Sequence, residues 1–406
     1  MQRSPARIRP SSSASTPTSS SPDPAVAGLL AEWADLRAVD HHCHPLLRMS
    51  NRVERADLRR AFTEAVDPEV IGEHSQQTVV YRAALRRLAA ELNCEATEDG
   101  VLRARAAEAD PLAYANRLLR KSGTGLMILD HGFSGGEAMS AAEHSVAIDI
   151  PQREVVRLET MAQTAVASSA NVAEWLMAVR GLLMNAVNGG AVGVKTIAAY
   201  RAGLQLQEPD RSRAEADFKA LRARAADQSI RLEGEPLCHL LLLEAAQLTA
   251  ELGVPLQIHC GFGDPDEDLA LTNPLGLRRL FVEPRFDGLK VVLLHCYPYH
   301  RQAAYLASVF PGVYMDVSLA IPMAAHDGVR ALEEALGLCP TSKLLYATDA
   351  TRFPEVYLVA AALHREALAG ALGQLVNTGW LTQSEAVEAG RQVLSGNARR
   401  IYELPE

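Results

Sequence analysis

The run AVDHHCH places His42 and His44 two residues apart at the end of what reads as a β-strand. Side chains alternate faces along a strand, so Asp40, His42 and His44 are expected on one face and His41 and Cys43 on the other. Two imidazoles at that spacing can grip one cation from one side. Three more short apolar runs end in a polar group that does not belong in a core: PLQIHCG at His259, VVLLHCY at His295 and LLYATDA at Asp349. GVKTIAAYR adds Lys195. A single histidine at a strand end is usually an ordinary hydrogen-bonded residue. Several such ends, each offering imidazole or carboxylate, point instead to a metal site suited to Zn²⁺, Mn²⁺ or Fe²⁺. Lys195 fits three roles: a salt-bridged lysine, a substrate ligand or a carbamylated bridge between two ions. Arg201 is a candidate to hold a substrate carboxylate in a two-point pair, and Arg157, next to Glu159, is a second. Each arginine serves a structural ion pair as readily. His41 is set aside by its face. Cys260 and Cys296 follow candidate ligands and are expected to face a helix layer. The acidic run DPDEDL, Asp264 to Leu269, lacks the glycine and spacing of a calcium loop and reads as a solvated helix start.

These groups lie far apart in sequence, so a scaffold must bring them to one place. Strands are expected at Ala38–His44, Gly125–Asp130, Val155–Glu159, Val192–Ala198, Pro255–Gly261, Lys290–Tyr297, Gly312–Ser318 and Lys343–Asp349. Helical patterns fall between most of them: Val172–Leu183, Ala214–Asp227, Leu237–Leu252, Pro274–Phe281, Arg301–Phe310 and Gly328–Leu336. Alternating strands and helices imply an α/β fold with parallel pairing. Eight such units suit a (β/α)8 TIM barrel, whose C-terminal strand ends meet at one mouth. After strand one, roughly residues 50–121 read as helical, including VYRAALRRLAAEL, and are expected to form a cap. Residues 1–24, rich in Ser, Pro and Arg, read as a disordered tail, and 25–406 as the barrel domain.

Composition narrows the partners. With 406 residues and 48% hydrophobic content, a large core is available. The net charge of −9 argues against a nucleic-acid partner and against anionic membranes. Six scattered cysteines with no C-x-x-C pair read as reduced thiols, hence a cytoplasmic protein. A small-molecule substrate is expected, and a homo-oligomer is compatible with the chain.

The H-x-H on strand one, histidines on strands five and six and aspartate on strand eight resemble the amidohydrolase superfamily. VKTIAAYRAGL, QIHCGFGDPDEDLALTNPLGLR, VVLLHCYPYHRQAAYLASVFPGVYMDVSLA, LLYATDATRFPEVYLVAA and the earlier FTEAVDPEVIGEHSQQTVVYRAALRRLAAELNCE are similar to the amidohydrolase domain at the N-terminus of FluG- and nodulin-type glutamine synthetase fusions. The closing GNARRIYEL is like the last helix of many amidohydrolases. The likeness runs from about Val39 onwards. Two features depart from it: no synthetase half is present, and strand two ends LDHGF, which leaves the part of Asp130 open. The resemblance implies one divalent ion, zinc first and manganese or iron next, held by His42, His44, His259 and Asp349, with His295 as a nearby acid or base. A two-ion branch would use Lys195 as a carbamate, with His259 and His295 on the second ion. The implied reaction is hydrolysis of a C–N amide bond by a metal-activated water, with Asp349 moving the proton. A γ-glutamyl amide is suggested by the fusion partner. Metal-dependent decarboxylation and a non-catalytic role in assembly or signalling are the alternatives.

Overall fold

The computed structural model describes residues 23–48, 50, 52–133, 137–225 and 229–405. The expected tail therefore lies outside the described residues, apart from Asp23 and Pro24. These two open the first helix, Pro24–Glu32: Asp23 accepts a hydrogen bond from Ala25 N at 2.8 Å, and Pro24 stands where a helix needs no N–H donor.

Seven parallel strands follow one another in sequence order. They are β1 (Ala38–Cys43), β2 (Thr124–Asp130), β3 (Gln152–Arg157), β4 (Gly193–Thr196), β5 (Leu256–Cys260), β6 (Val291–His295) and β7 (Val313–Met315). The eighth expected strand is not a regular one. Thr341–Lys343 is a 3₁₀ turn, and the chain after it runs between β7 and β1. Leu345 N donates to Met315 O at 2.9 Å, Asp349 N to His42 O at 3.1 Å and His44 N to Ala350 O at 2.9 Å. The ladder is broken because Thr348 N is taken by the Asp40 carboxylate at 2.9 Å and Asp349 turns to φ +50°. The sheet thus curls until its first and last strands flank one segment. The third strand ends earlier than expected, because Leu158 already begins the helix Leu158–Val166.

Alternation sorts the apolar residues into layers. Leu126, Ile128, Val155, Val292, Leu294 and Leu345 form an inner cluster, closed from below by Ile401 and Tyr402. Val194, Leu256, Ile258, Val291, Leu293 and Met315 face outward onto the helices. Helix Val172–Asn188 shows why those helices form. Asn171 caps it by accepting from Glu174 N, and Trp175, Val179 and Leu183, four apart, bury one stripe. The expected helix Pro274–Phe281 is instead a 3₁₀ turn, Pro274–Leu277, followed by Arg278–Val282.

Between β1 and β2 the described residues hold no strand and four α-helices: Arg55–Arg60, Val79–Leu92, Glu98–Ala106 and Pro111–Lys121. Their apolar faces pack against the sheet and the helix that follows its last segment. Tyr81, Ala84, Leu88, Ala115 and Leu119 meet Cys43, Met127 and Leu129, together with Tyr357 and Val359 of the long helix Pro354–Asn377.

Candidate metal centre

Three donors cluster at the C-terminal strand ends: His42, His44 and Asp349, whose candidate ligand atoms all lie within 4.8 Å of one another. Asp349 Oδ1 stands 3.3 Å from His42 Nε2 and 3.4 Å from His44 Nε2. Alternation alone does not account for this. Asp40 is turned to Thr348, whereas His41 stacks on Tyr402 of the inner cluster and lies 2.9 Å from Asp316. The expectation that His41 points away from His42 is therefore corrected. A register irregularity between Asp40 and Cys43 lets both histidines face inward. Strand β6 uses another device. Val292 and Leu294 both face inward, so alternation would point His295 outward. Instead, φ values of +69° at His295 and +47° at Cys296 turn the histidine into the site. Cys296 and Cys260 then join the outer cluster, as expected.

Hydrogen bonds fix which nitrogen each ring offers. His44 Nδ1 meets the Asp130 carbonyl at 2.9 Å; a carbonyl can only accept, so Nδ1 donates and Nε2 is the nitrogen turned to Asp349. Ser318 donates to Asp316 at 2.7 Å, so its oxygen accepts from His295 Nδ1 at 2.8 Å, leaving the lone pair on Nε2. Burial, reinforced by Lys195, pulls the His42 imidazole down to about 3, and burial also pushes His295 well below the ordinary histidine value, so both rings are neutral. Burial opposes the charge of Asp349, but His295, His42 and His44 hold its carboxyl well below the usual range. Asp349 Oδ1 is shut off from solvent and accepts no hydrogen bond. A bare carboxylate oxygen 3.3 and 3.4 Å from two imidazole nitrogens is a donor set that suits a cation.

Around this group lies a cavity of about 170 Å³. It is lined by His44, Lys195, His259, His295 and Asp349, by Arg157 and Arg201, and by Glu64, Tyr200, Asp264 and Asp266. Lys195 Nζ sits 3.0 Å from His42 Nε2 and 4.0 Å from Asp130, with burial lowering its pKa. Arg157 is paired with Asp130 at 2.6 Å, which gives Asp130 a part: burial opposes its charge, but Arg157 holds the carboxyl far down. Glu159 turns away to accept from Thr196 Oγ1 at 2.6 Å. Arg201 forms no hydrogen bond or ion pair through its side chain among the described residues, and its Nε is buried. His259 lies outside the three-donor group. Its ring lies 4.5 Å from that of His295, tilted by 55°, and its Nε2 meets Glu267 at 2.9 Å.

Sequence reasoning missed Glu64, Glu267 and Ser318. Glu64 reaches the cavity from the helical stretch after β1, and burial with help from Asp349 raises its carboxyl to about 8. Glu267 belongs to the DPDEDL run expected in solvent, yet its side chain is 2% exposed. The nearest signal was a run of acids within ten residues of a candidate ligand. The six cysteines form no disulfide. Among the described residues no helix is long and apolar enough to cross a membrane.

Comparison with known proteins adds lineage to this geometry. The sequence model of a family described as Amidohydrolase matches residues 39–404. Protein fluG of Emericella nidulans is 30% identical over 401 residues, covering 91% of this chain and 46% of that protein, so the chain spans less than half the length of this curated relative. Among solved structures, a candidate metal-dependent hydrolase from Lactobacillus casei is 31% identical, with a TM-score of 0.82, covering 92% of this chain and 97% of that one. Uronate isomerase from Thermotoga maritima shares the fold at 16% identity and a TM-score of 0.65, covering 94% and 97%.

Proposed function

The chain belongs to the amidohydrolase family, and from that premise we propose that it is a metal-dependent hydrolase cleaving a C–N amide bond in a small, carboxylate-bearing substrate. The observation that carries the reading is the bare, buried Asp349 oxygen set 3.3 Å from His42 Nε2 and 3.4 Å from His44 Nε2. His42, His44, His259 and Asp349 would hold one divalent ion, zinc before manganese or iron, at the mouth of a (β/α)8 barrel spanning 25–406, with the 50–121 stretch lending Glu64 to the pocket. When bound, such an ion polarises a carbonyl and brings the pKa of water towards about 7.

The chain's own groups supply the rest. Asp349 is ionised, so it can take a proton from the attacking water and pass it to the leaving amine. His295, neutral with its lone pair on Nε2 and lining the same cavity, would be a second acceptor. Lys195 lies against His42 and Asp130, where it would neutralise charge or contact substrate, without requiring a second ion. The unpaired Arg201 would hold the substrate carboxylate. Arg157, already engaged by Asp130, would orient it from the far side. A γ-glutamyl amide is the first compound to try, on the strength of the fusion resemblance.

Two measurements on gently purified protein test this. Elemental analysis should find about one divalent ion per chain, and a panel of amides should yield amine plus acid. Carbon dioxide without amine would support a decarboxylase instead, and a metal-free, inert protein would remove the enzymatic reading. His42→Ala should lose both metal and turnover while keeping its circular dichroism spectrum.

A further inference from the structure

We propose that Glu267 is a positioning residue. By accepting from His259 Nε2 it fixes that ring in the tautomer whose lone pair lies on Nδ1, and so decides which nitrogen His259 can offer to an ion or substrate. The inference deepens the ligand role proposed for His259 and rests on it.

The contact is a buried one. His259 Nε2 and Glu267 Oε2 are 2.9 Å apart, and their side chains are 4% and 2% exposed. A carboxylate only accepts, so Nε2 must donate. The ring cannot swing away to evade this. The Tyr200 ring packs against it at 4.5 Å, tilted by 53°, and the His295 ring lies 4.5 Å away. The loop carrying Glu267 is itself shaped for the approach. A Cβ on residue 263 would lie 2.0 Å from Tyr200 Oη and 2.5 Å from Glu267 Oε2, so only glycine admits both groups here. Glu267 N donates to Asp264 O at 3.1 Å, and Asp266 is tied to Arg231 at 2.9 Å. The carboxylate is thus delivered by a braced turn, not by a wandering side chain. Partners of this kind orient metal-ligating histidines and typically change metal affinity 10–100-fold when lost.

The test uses the full chain, with Zn²⁺ as probe in a competition titration against a chelator. Glu267→Gln can turn its amide NH₂ towards Nε2 and so release the tautomer; it should weaken Zn²⁺ binding by about 10–100-fold, with Glu267→Asp recovering part of the loss. In metal-free protein carrying ¹⁵N-labelled histidine, the His259 ring nitrogens should report an Nε2–H tautomer that is lost in Glu267→Gln. A structural role alone would not move that signal. If Glu267→Gln binds Zn²⁺ like the wild type while His259→Ala does not, the positioning role is wrong and the ligand set stands. If His259→Ala also binds normally, the ligand set fails and the positioning role with it. A wild-type His259 protonated on Nδ1 overturns the inference whatever the variants do, including when Glu267→Gln fails to fold.

Discussion

Arg201 and Glu64 both line the cavity, yet neither side chain has a hydrogen-bond or ion-pair partner among the described residues. Leaving a guanidinium part-buried without an anion is costly, and a substrate carboxylate would relieve that cost. Arg201→Ala should therefore raise KM by about 10–100-fold with a smaller change in kcat; steady-state kinetics on any hydrolysed amide will read the split. Glu64 makes a pH prediction. Burial raises its carboxyl from 4.5 to about 8 in the folded chain, so between those values the folded state holds a proton that the unfolded state has released. Its contribution is thus complete below about pH 4.5 and is lost as pH rises through about 8. Glu64→Gln should flatten the fall of the melting temperature between pH 5 and pH 9; a variant with the wild-type slope would contradict this. The polar strand ends were legible because each interrupts an apolar run. Glu64, Glu267 and Ser318 were not, because they reach the site from loops, where polar residues are the norm and burial leaves no periodic mark.

Strands β2 and β5 behave as alternation dictates: Ile128 enters the inner cluster, and Gln257 donates to His41 O at 2.9 Å. Strand β1 and the ends at His295 and Asp349 do not, because one register slip and three left-handed residues, His295, Cys296 and Asp349, override the period there. The segment around Leu344 to Asp349 could be found by its apolar run, but not its broken ladder, since the break depends on Asp40 reaching across to Thr348. Helix Pro354–Asn377 was overlooked for the opposite reason. Val356, Tyr357, Val359, Ala360 and Ala361 are all buried, so no polar face marks a helical period. At this scale the sharpest prediction falls on Gly261, which follows β5 at φ +73°. A Cβ there would sit 2.3 Å from the Tyr297 carbonyl oxygen. Gly261→Ala should cost about 1–3 kcal/mol or more, measured by urea unfolding.

The parallel sheet was visible in the count and spacing of strands, whereas how the helices after β1 join it was not. Arg105 and Glu355 make that join, 2.5 Å apart with 3% and 1% of their side chains exposed, and Tyr114 donates to the same carboxylate at 2.7 Å. Arg105→Ala strands the acid in a dry site and should destabilise by about 3–5 kcal/mol. Replacing both partners with apolar residues of like volume should cost far less, and calorimetry of the single and double variants checks this. The irregular segment between β7 and β1 has its own consequence. It is the seam where the fold's first strand meets its last sheet segment, and its ladder is interrupted at Thr348. His42 and His44 stand on one side of that seam and Asp349 on the other. An ion shared by them would act as a clasp between early and late parts of the polypeptide, so that stripping it should quicken deuterium uptake at Leu345 to Ala350 and in β1 before anything changes in β2 to β5.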